Sequence, residues 1–257
     1  MISPLANISP KARIGANVTI DAFATIYEDV EIGDGTHVHP NAVIYPDTII
    51  GKGCKIFPGA VIGVVNQDLK YKGEKSNTVI GDNTTIREYA TIHKGTADRM
   101  TTKVGNNCLI MCYTHLGHDC SIGNNVIIAN NGTLAGHITV EDFVVIEGVV
   151  AAQQFVNIGA HSFIAGASLV RKSVPPYVRV AREPLQFIGV NTIGLARRGF
   201  DKEVIKQIED IYRIIFVRGH NISNALDIVE NEVPDTPVRK EIIDFIRKQT
   251  DGIIKGI

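Results

Sequence analysis

Tryptophan is absent from this chain of 257 residues, and leucine is scarce, 9 against 37 isoleucines. Helical proteins favour leucine, whereas β-branched side chains suit a pleated surface. The balance therefore excludes a helix-dominated fold and predicts a mainly β one. A basic excess is also missing, because 26 Lys and Arg face 27 Asp and Glu. An electrostatic nucleic-acid binder, which carries a marked surplus of cations, is thereby excluded. No apolar run approaches the roughly 20 residues of a membrane-spanning helix. Four cysteines are too few for a disulfide scaffold. The N-terminus, from Met1 to Asn7, has no basic start and no apolar stretch, so the expectation is a cytoplasmic protein without a secretory leader. The length suits one or two domains.

What the chain does have is a six-residue period. From Ile2 to Val170, 25 of the 29 positions spaced by six are Ile, Val or Leu, and the exceptions are Asp68, Glu74, Asp98 and Ala152. Four residues after the aliphatic comes a small side chain, as at Ala12, Ala24, Ala42, Cys54, Ala60, Cys108 and Cys120. Gly, Asn and Asp, which tolerate left-handed corners, gather between them. Short strands joined by tight corners, with one large and one small residue filling a narrow interior, describe a parallel β-helix. Cys54, Cys108 and Cys120 then read as core residues, and no Cys-x-x-Cys pair points to zinc. The pattern resembles the left-handed β-helix of the hexapeptide-repeat family. That resemblance implies three hexads, or 18 residues, per coil and a left-handed path, against the general right-handed preference.

The exceptions predict two loops leaving the prism, at 63–79 and 95–103. Past about residue 184 the period stops. Asp201 is a candidate cap for a helix carrying Val204, Ile205, Ile208, Ile211, Tyr212, Ile215 and Phe216, ended by Gly219. Residues 223–231 and 238–249 read as two more helices, separated by Pro234 and Pro237. The expected organisation is a β-helix over 1–183 and a connector with an α-helical domain over 184–257, covering the last coil's open strand edges.

An 18-residue coil places His118 under Gly136, with Gln154 above, His137 one coil up and one residue along, and His115 just before the corner. Asp119 stands beside them. A lone surface histidine is usually inert, but three converging beside a glycine mark a site. Gly136 leaves space over His118, and its N–H faces where a carbonyl would bind. Metal is not expected. Trimeric β-helical carbonic anhydrases pair two histidines five residues apart, whereas His115 and His118 are three apart.

Longer motifs carry a closer resemblance. Asn66-Gln67-Asp68-Leu69-Lys70-Tyr71, Thr91-Ile92-His93-Lys94-Gly95-Thr96, His115-Leu116-Gly117-His118-Asp119-Cys120, Leu134-Ala135-Gly136-His137 and Gly194-Leu195-Ala196-Arg197-Arg198-Gly199-Phe200 span the chain. Together they resemble the acyl-[acyl-carrier-protein]–UDP-N-acetylglucosamine O-acyltransferase family, which opens lipid A synthesis. The resemblance implies transfer of a 3-hydroxyacyl chain from acyl carrier protein to the sugar 3-hydroxyl, a homotrimer with sites at subunit boundaries, and no cofactor. It makes His118 a surface general base supported by Asp119, with Gly136 N–H as oxyanion donor. It assigns Gln67, Asp68, Lys70, His115, His137 and Gln154 to substrate, Asn191 to the nucleotide, and Arg197 with Arg198 to a phosphate clamp. Two positions depart from the family pattern, Gln153 for a histidine and Ile193 for an acidic residue. Asn130, Gly148 and Gly166, each 18 apart, form a column, and the resemblance makes Gly166 the acyl-chain ruler. Glycine there lets a long chain pass; a mere turn role is the alternative. Two other functions stay open, a related UDP-3-O-acylglucosamine N-acyltransferase, which has an additional N-terminal domain, and a non-catalytic sugar-nucleotide-binding β-helix.

Overall fold

The computed structural model describes residues 1–256; Ile257, the end of the expected 184–257 segment, lies outside the described residues. Most hexads form two-residue strands that end on the periodic aliphatic, as in Thr25–Ile26 and Val43–Ile44. Strand partners stand eighteen residues apart, as in Asn7↔Thr25 and Ile26↔Ile44. Successive strands therefore join three different sheets, of nine, eight and ten strands, wound as a parallel β-helix. Ile26, Ile44, Ile62, Ile92, Leu116 and Leu134 stack in the interior of one face, all fully buried. Ala24, Ala42, Ala60, Cys54, Cys108 and Cys120 are buried beside them, as the small position of the hexad requires. Burial raises all three thiols, Cys120 to about 12, so they stay protonated.

The corners use positive φ at residues with side chains. Asn41, Asp29 and Asn83 are natural occupants, but Phe23, Tyr89 and Val149 adopt the same conformation. Asn and Asp reach it through local hydrogen bonding, whereas a β-branched valine is strained there.

The insertions explain why the period survives them. Val61 pairs with Thr91, thirty residues on, and Thr91 with His115, twenty-four on. The excess over eighteen is two hexads in the first case and one in the second. Flanking strands Val61–Val64, Asn77–Ile80 and Thr101–Val104 reach into the segments that the sequence pattern gives to loops, while Thr91–His93 stops short of the second. Of those two expected loops, 65–76 and 95–100 lie outside strands.

At the C-terminal end the ten-stranded sheet runs past the last hexad. Val178–Ala181 joins it in parallel, and Gln186–Val190 folds back antiparallel as its outermost strand. Four helices follow: α1 (Thr192–Arg197), α2 (Lys202–Phe216), α3 (Ile222–Glu232) and α4 (Pro237–Arg247). Asp201 does precede α2, but its side chain makes no capping hydrogen bond. Pro237 opens α4 rather than separating helices, at the position where a missing N–H costs nothing, and Thr236 caps it. Tyr212 of α2 is fully buried and donates to Pro176 O at 2.6 Å. Tyr177 donates to Glu241 of α4 at 2.5 Å. Among the described residues no helix is long and apolar enough to cross a membrane.

Candidate active site

The strand His115–Leu116 ends just before a corner, and the corner presents His118 and Asp119. Asp119 takes φ +59°, a conformation that aspartate tolerates. His118 Nδ1 lies 2.9 Å from Asp119 Oδ2, which fixes the ring and leaves Nε2 facing outward. One coil up, Gly136 covers the imidazole. A Cβ at that position would stand 2.5 Å from Cε1 and 2.6 Å from Nε2, so any side chain there collides with the ring. The Gly136 N–H makes no backbone hydrogen bond among the described residues. His118 itself is 7 % exposed, so it is a nearly buried side chain at the floor of a groove and not the surface residue expected from the sequence.

The groove has a volume of about 450 Å³ and is lined by Gln67, Asp68, Lys70, His115, His118, Gly136 and Gln154, along with His93, Leu69, Gly117 and Ala135. The first loop thus delivers three of the residues expected at the site. Asp68 Oδ2 stands 3.9 Å from His118 Nε2, on the side of the ring away from Asp119. His115 is oriented by Thr91, whose hydroxyl is 2.8 Å from Nδ1. Burial lowers the pKa of His115. Burial, then the neighbouring His115 and His118, push His93 down to about 4. His137 meets His118 edge-on at 4.9 Å and stacks on Phe155 at 4.5 Å. Its pKa also falls, chiefly through burial, which outweighs the pull of Asp119.

The second loop supplies residues that sequence reasoning missed. Thr96 donates its N–H to Asp119 Oδ1 at 2.9 Å and its hydroxyl to Oδ2 at 2.5 Å. Arg99 donates its N–H to Oδ1 and its guanidinium to the Asp119 carbonyl. Asp98 Oδ2 lies 3.0 Å from His137 Nδ1. Burial works to raise the Asp119 carboxyl, but the hydrogen bonds from Thr96 and His118 outweigh it and hold the group below the ordinary carboxylate range. Donors of His118, Asp119 and His137 converge within 4.8 Å, yet both carboxylate oxygens of Asp119 already face protein donors, so a cation would have to displace them. The signals available in the sequence were the interruption of the period at Asp98 and the motif that ends in Thr96, neither of which assigned these residues a role.

Asn191, Arg197 and Arg198 are not in this groove of the same chain. Asn191 and Arg198 sit against a different corner column, that of His161 and Phe143. Asn191 is buried, accepts the Gly194 N–H at the start of α1 and donates to His161 O at 2.8 Å. Arg198 donates to Phe143 O at 2.9 Å while its Nη1 is buried without a partner among the described residues. Burial lowers its pKa. Arg197 is exposed, as is Ile193. Gln153 is exposed too.

The column Asn130, Gly148, Gly166 is present. A Cβ on Gly148 would meet Asn130 O at 3.4 Å, and one on Gly166 would meet Gly148 O at 3.3 Å. Neither glycine has positive φ, so neither is required by a turn. Glu147 borders the column and accepts the Gly166 N–H at 2.9 Å.

Comparison with known proteins gives consistent relatives. Residues 174–254 match the family described as Udp N-acetylglucosamine O-acyltransferase; Domain 2. Residues 11–46, 29–63 and 101–136 match Bacterial transferase hexapeptide (six repeats). The chain is 40 % identical over 256 residues, 99 % of each chain, to the acyl-[acyl-carrier-protein]–UDP-N-acetylglucosamine O-acyltransferase of Pseudomonas aeruginosa. It superposes on a UDP-N-acetylglucosamine acyltransferase from Bacteroides fragilis with a TM-score of 0.98 at 48 % identity, covering 99 % of this chain and 100 % of that one. For an Arabidopsis UDP-N-acetylglucosamine acyltransferase the values are 0.79 and 32 %, covering 100 % and 99 %.

Proposed function

The chain belongs to the acyl-[acyl-carrier-protein]–UDP-N-acetylglucosamine O-acyltransferase family, and from that premise we propose how its own residues carry an acyl chain from carrier protein to sugar nucleotide. The acceptor is the 3-hydroxyl of UDP-N-acetylglucosamine and the donor a 3-hydroxyacyl thioester, the first step of lipid A synthesis. A sugar hydroxyl is a weak nucleophile at neutral pH and needs a base within hydrogen-bond reach. His118 Nε2 takes the hydroxyl proton as the oxygen attacks the thioester carbonyl. Asp119 holds Nδ1–H and stabilises the imidazolium that forms. Gly136 N–H receives the developing oxyanion. Collapse expels the carrier's thiolate, which recovers the proton from His118, so no covalent enzyme intermediate forms.

The observation that carries this reading is the His118–Asp119 pair with its second ring nitrogen lying beneath Gly136, where a side chain would collide with it. Asp68, Lys70, Gln67, His115, His137 and Gln154 bind the sugar and diphosphate around it. Asn191, Arg197 and Arg198 stand on another corner of the chain, and a homotrimer brings them to a neighbour's groove as nucleotide contacts. A cytoplasmic location fits a carrier-protein donor. The decisive assay incubates purified protein with 3-hydroxyacyl carrier protein and UDP-N-acetylglucosamine. An O3 ester is the expected product. Acylation only of an amino-sugar acceptor would assign the N-acyltransferase reaction, and no transfer at all would leave a binding protein.

A further inference from the structure

A second set of side chains converges near the N-terminal end of the prism, outside the groove. His37 and His39 flank the buried Val38, so the two-residue period of a strand turns both imidazoles outward on one face. Their rings stack with centroids 3.8 Å apart. Asp21, one coil below His39, places Oδ2 at 2.7 Å from His37 Nε2 and 3.6 Å from His39 Nδ1. We propose that Asp21, His37 and His39 form a site for a divalent transition-metal ion of the zinc class, which clips two successive coils near the N-terminal end of the ten-stranded sheet together.

The distances suit such an ion. Zinc bonds of about 2.0–2.1 Å at tetrahedral angles put neighbouring donor atoms roughly 3.3 Å apart. The two contacts to Asp21 straddle that value, and all three donors lie within 4.8 Å of one another. Two imidazole nitrogens and one carboxylate oxygen favour zinc, nickel or cobalt over magnesium or calcium, which take oxygen ligands. Three protein ligands leave a fourth position for water.

The rings are held in place before any ion arrives. His39 is sandwiched between His37 and Phe57, the latter at 4.6 Å. The Arg87 guanidinium sits 4.4 Å from the Phe57 centroid and is itself held by both oxygens of Glu88, at 2.9 and 3.0 Å. Such outer support keeps ligand orientation fixed. The three side chains are 24–36 % exposed, open enough for an ion to enter. Lys55, the register partner of His37, is the opposing charge, and it is exposed, free to turn its ammonium to solvent. Asp21 follows strand Thr19–Ile20, which bridges to Ile2 on its outer side, and His37 belongs to the next strand, so the ion would tie the first full coil to the second.

Zinc titration by calorimetry at pH 7.5 tests the site. His118→Ala protein is the starting material, because His118, Asp119 and His137 offer a competing set of donors. One ion per chain is expected, with no heat from calcium. Asp21→Asn, which keeps the hydrogen bond to His37 but removes the charge, and His37→Ala should each weaken zinc binding at least about tenfold. In a wild-type background, Asp21→Asn should leave acyl transfer unchanged while abolishing the rise in unfolding temperature that zinc gives. Absence of uptake by the His118→Ala protein overturns the site, as does uptake that is unaltered by both substitutions; the cluster is then an ordinary His–Asp hydrogen bond.

Discussion

Replacing His118 by alanine removes the proton acceptor from the groove, and turnover is expected to fall about 10²–10⁴-fold in a steady-state transfer assay. Because the ring is nearly buried under Gly136 and paired with Asp119, alanine also leaves a buried carboxylate short of a partner. A loss of about 1–3 kcal/mol of stability accompanies it. His118→Asn, which retains a donor toward Asp119, separates the two effects. It is expected to be as inactive as alanine with most of the stability restored, and a catalytically competent asparagine variant would remove His118 from the mechanism. At Arg198 the guanidinium is half-buried against Phe143, with Nη1 unpartnered among the described residues, and the clamp reading gives this cation to a phosphate. Arg198→Ala is expected to raise KM for UDP-N-acetylglucosamine with little change in kcat, and a fall in kcat alone contradicts the clamp. His118, Gly136 and Gln154 were legible in the sequence because eighteen-residue stacking is arithmetic. Thr96, Asp98 and Arg99 were not, since a loop outside the period has no register to count from.

At the scale of the element, the corners and their neighbours set the acid limit of the fold. His93 beside the groove and His161, stacked between Phe143 and Tyr177, are both pushed down to about 4, mainly by burial. Their ordinary value is near 6.5. Above that pH both folded and unfolded chains hold neutral rings. As pH falls from about 6.5 towards 4, only the unfolded chain gains these protons, so stability present at neutral pH is lost on acidification. Thermal midpoints at pH 7.5 and 5 are expected to diverge, and His93→Gln is expected to narrow the gap. An unchanged gap would show that His93 takes no part. Strands and corners repeat a pattern and so were readable from residue types alone. The antiparallel strand Gln186–Val190 and the short helix α1 were not, because each depends on the sheet edge or helix end it meets rather than on a period of its own.

Taken whole, the molecule has a measurable axis. Gly166 stands 48 residues, or 48/18 coils, above His118, a rise of roughly 13 Å at about 4.8 Å per coil. An extended acyl chain of about ten carbons covers that distance, so an open Gly166 predicts preference for donors of about 14 carbons or more. The non-turn backbone at Gly166 admits a side chain once Gly148 O, 3.3 Å from the new Cβ, gives slightly, so Gly166→Met serves as an obstruction. It is expected to move preference to donors of about ten carbons with little loss on the short substrate. The same ranking of ten-, fourteen- and sixteen-carbon donors before and after would end the ruler. The two loops, each adding whole hexads to its coil, also govern how such a chain can change over evolutionary time. Its length is quantised. Loss of a single residue from a strand exchanges inside for outside along that strand and puts it out of step with its neighbours, whereas eighteen residues add a floor. Insertions and deletions within the coils of its descendants are therefore filtered by divisibility before any question of side-chain chemistry arises, and only the loops escape the count.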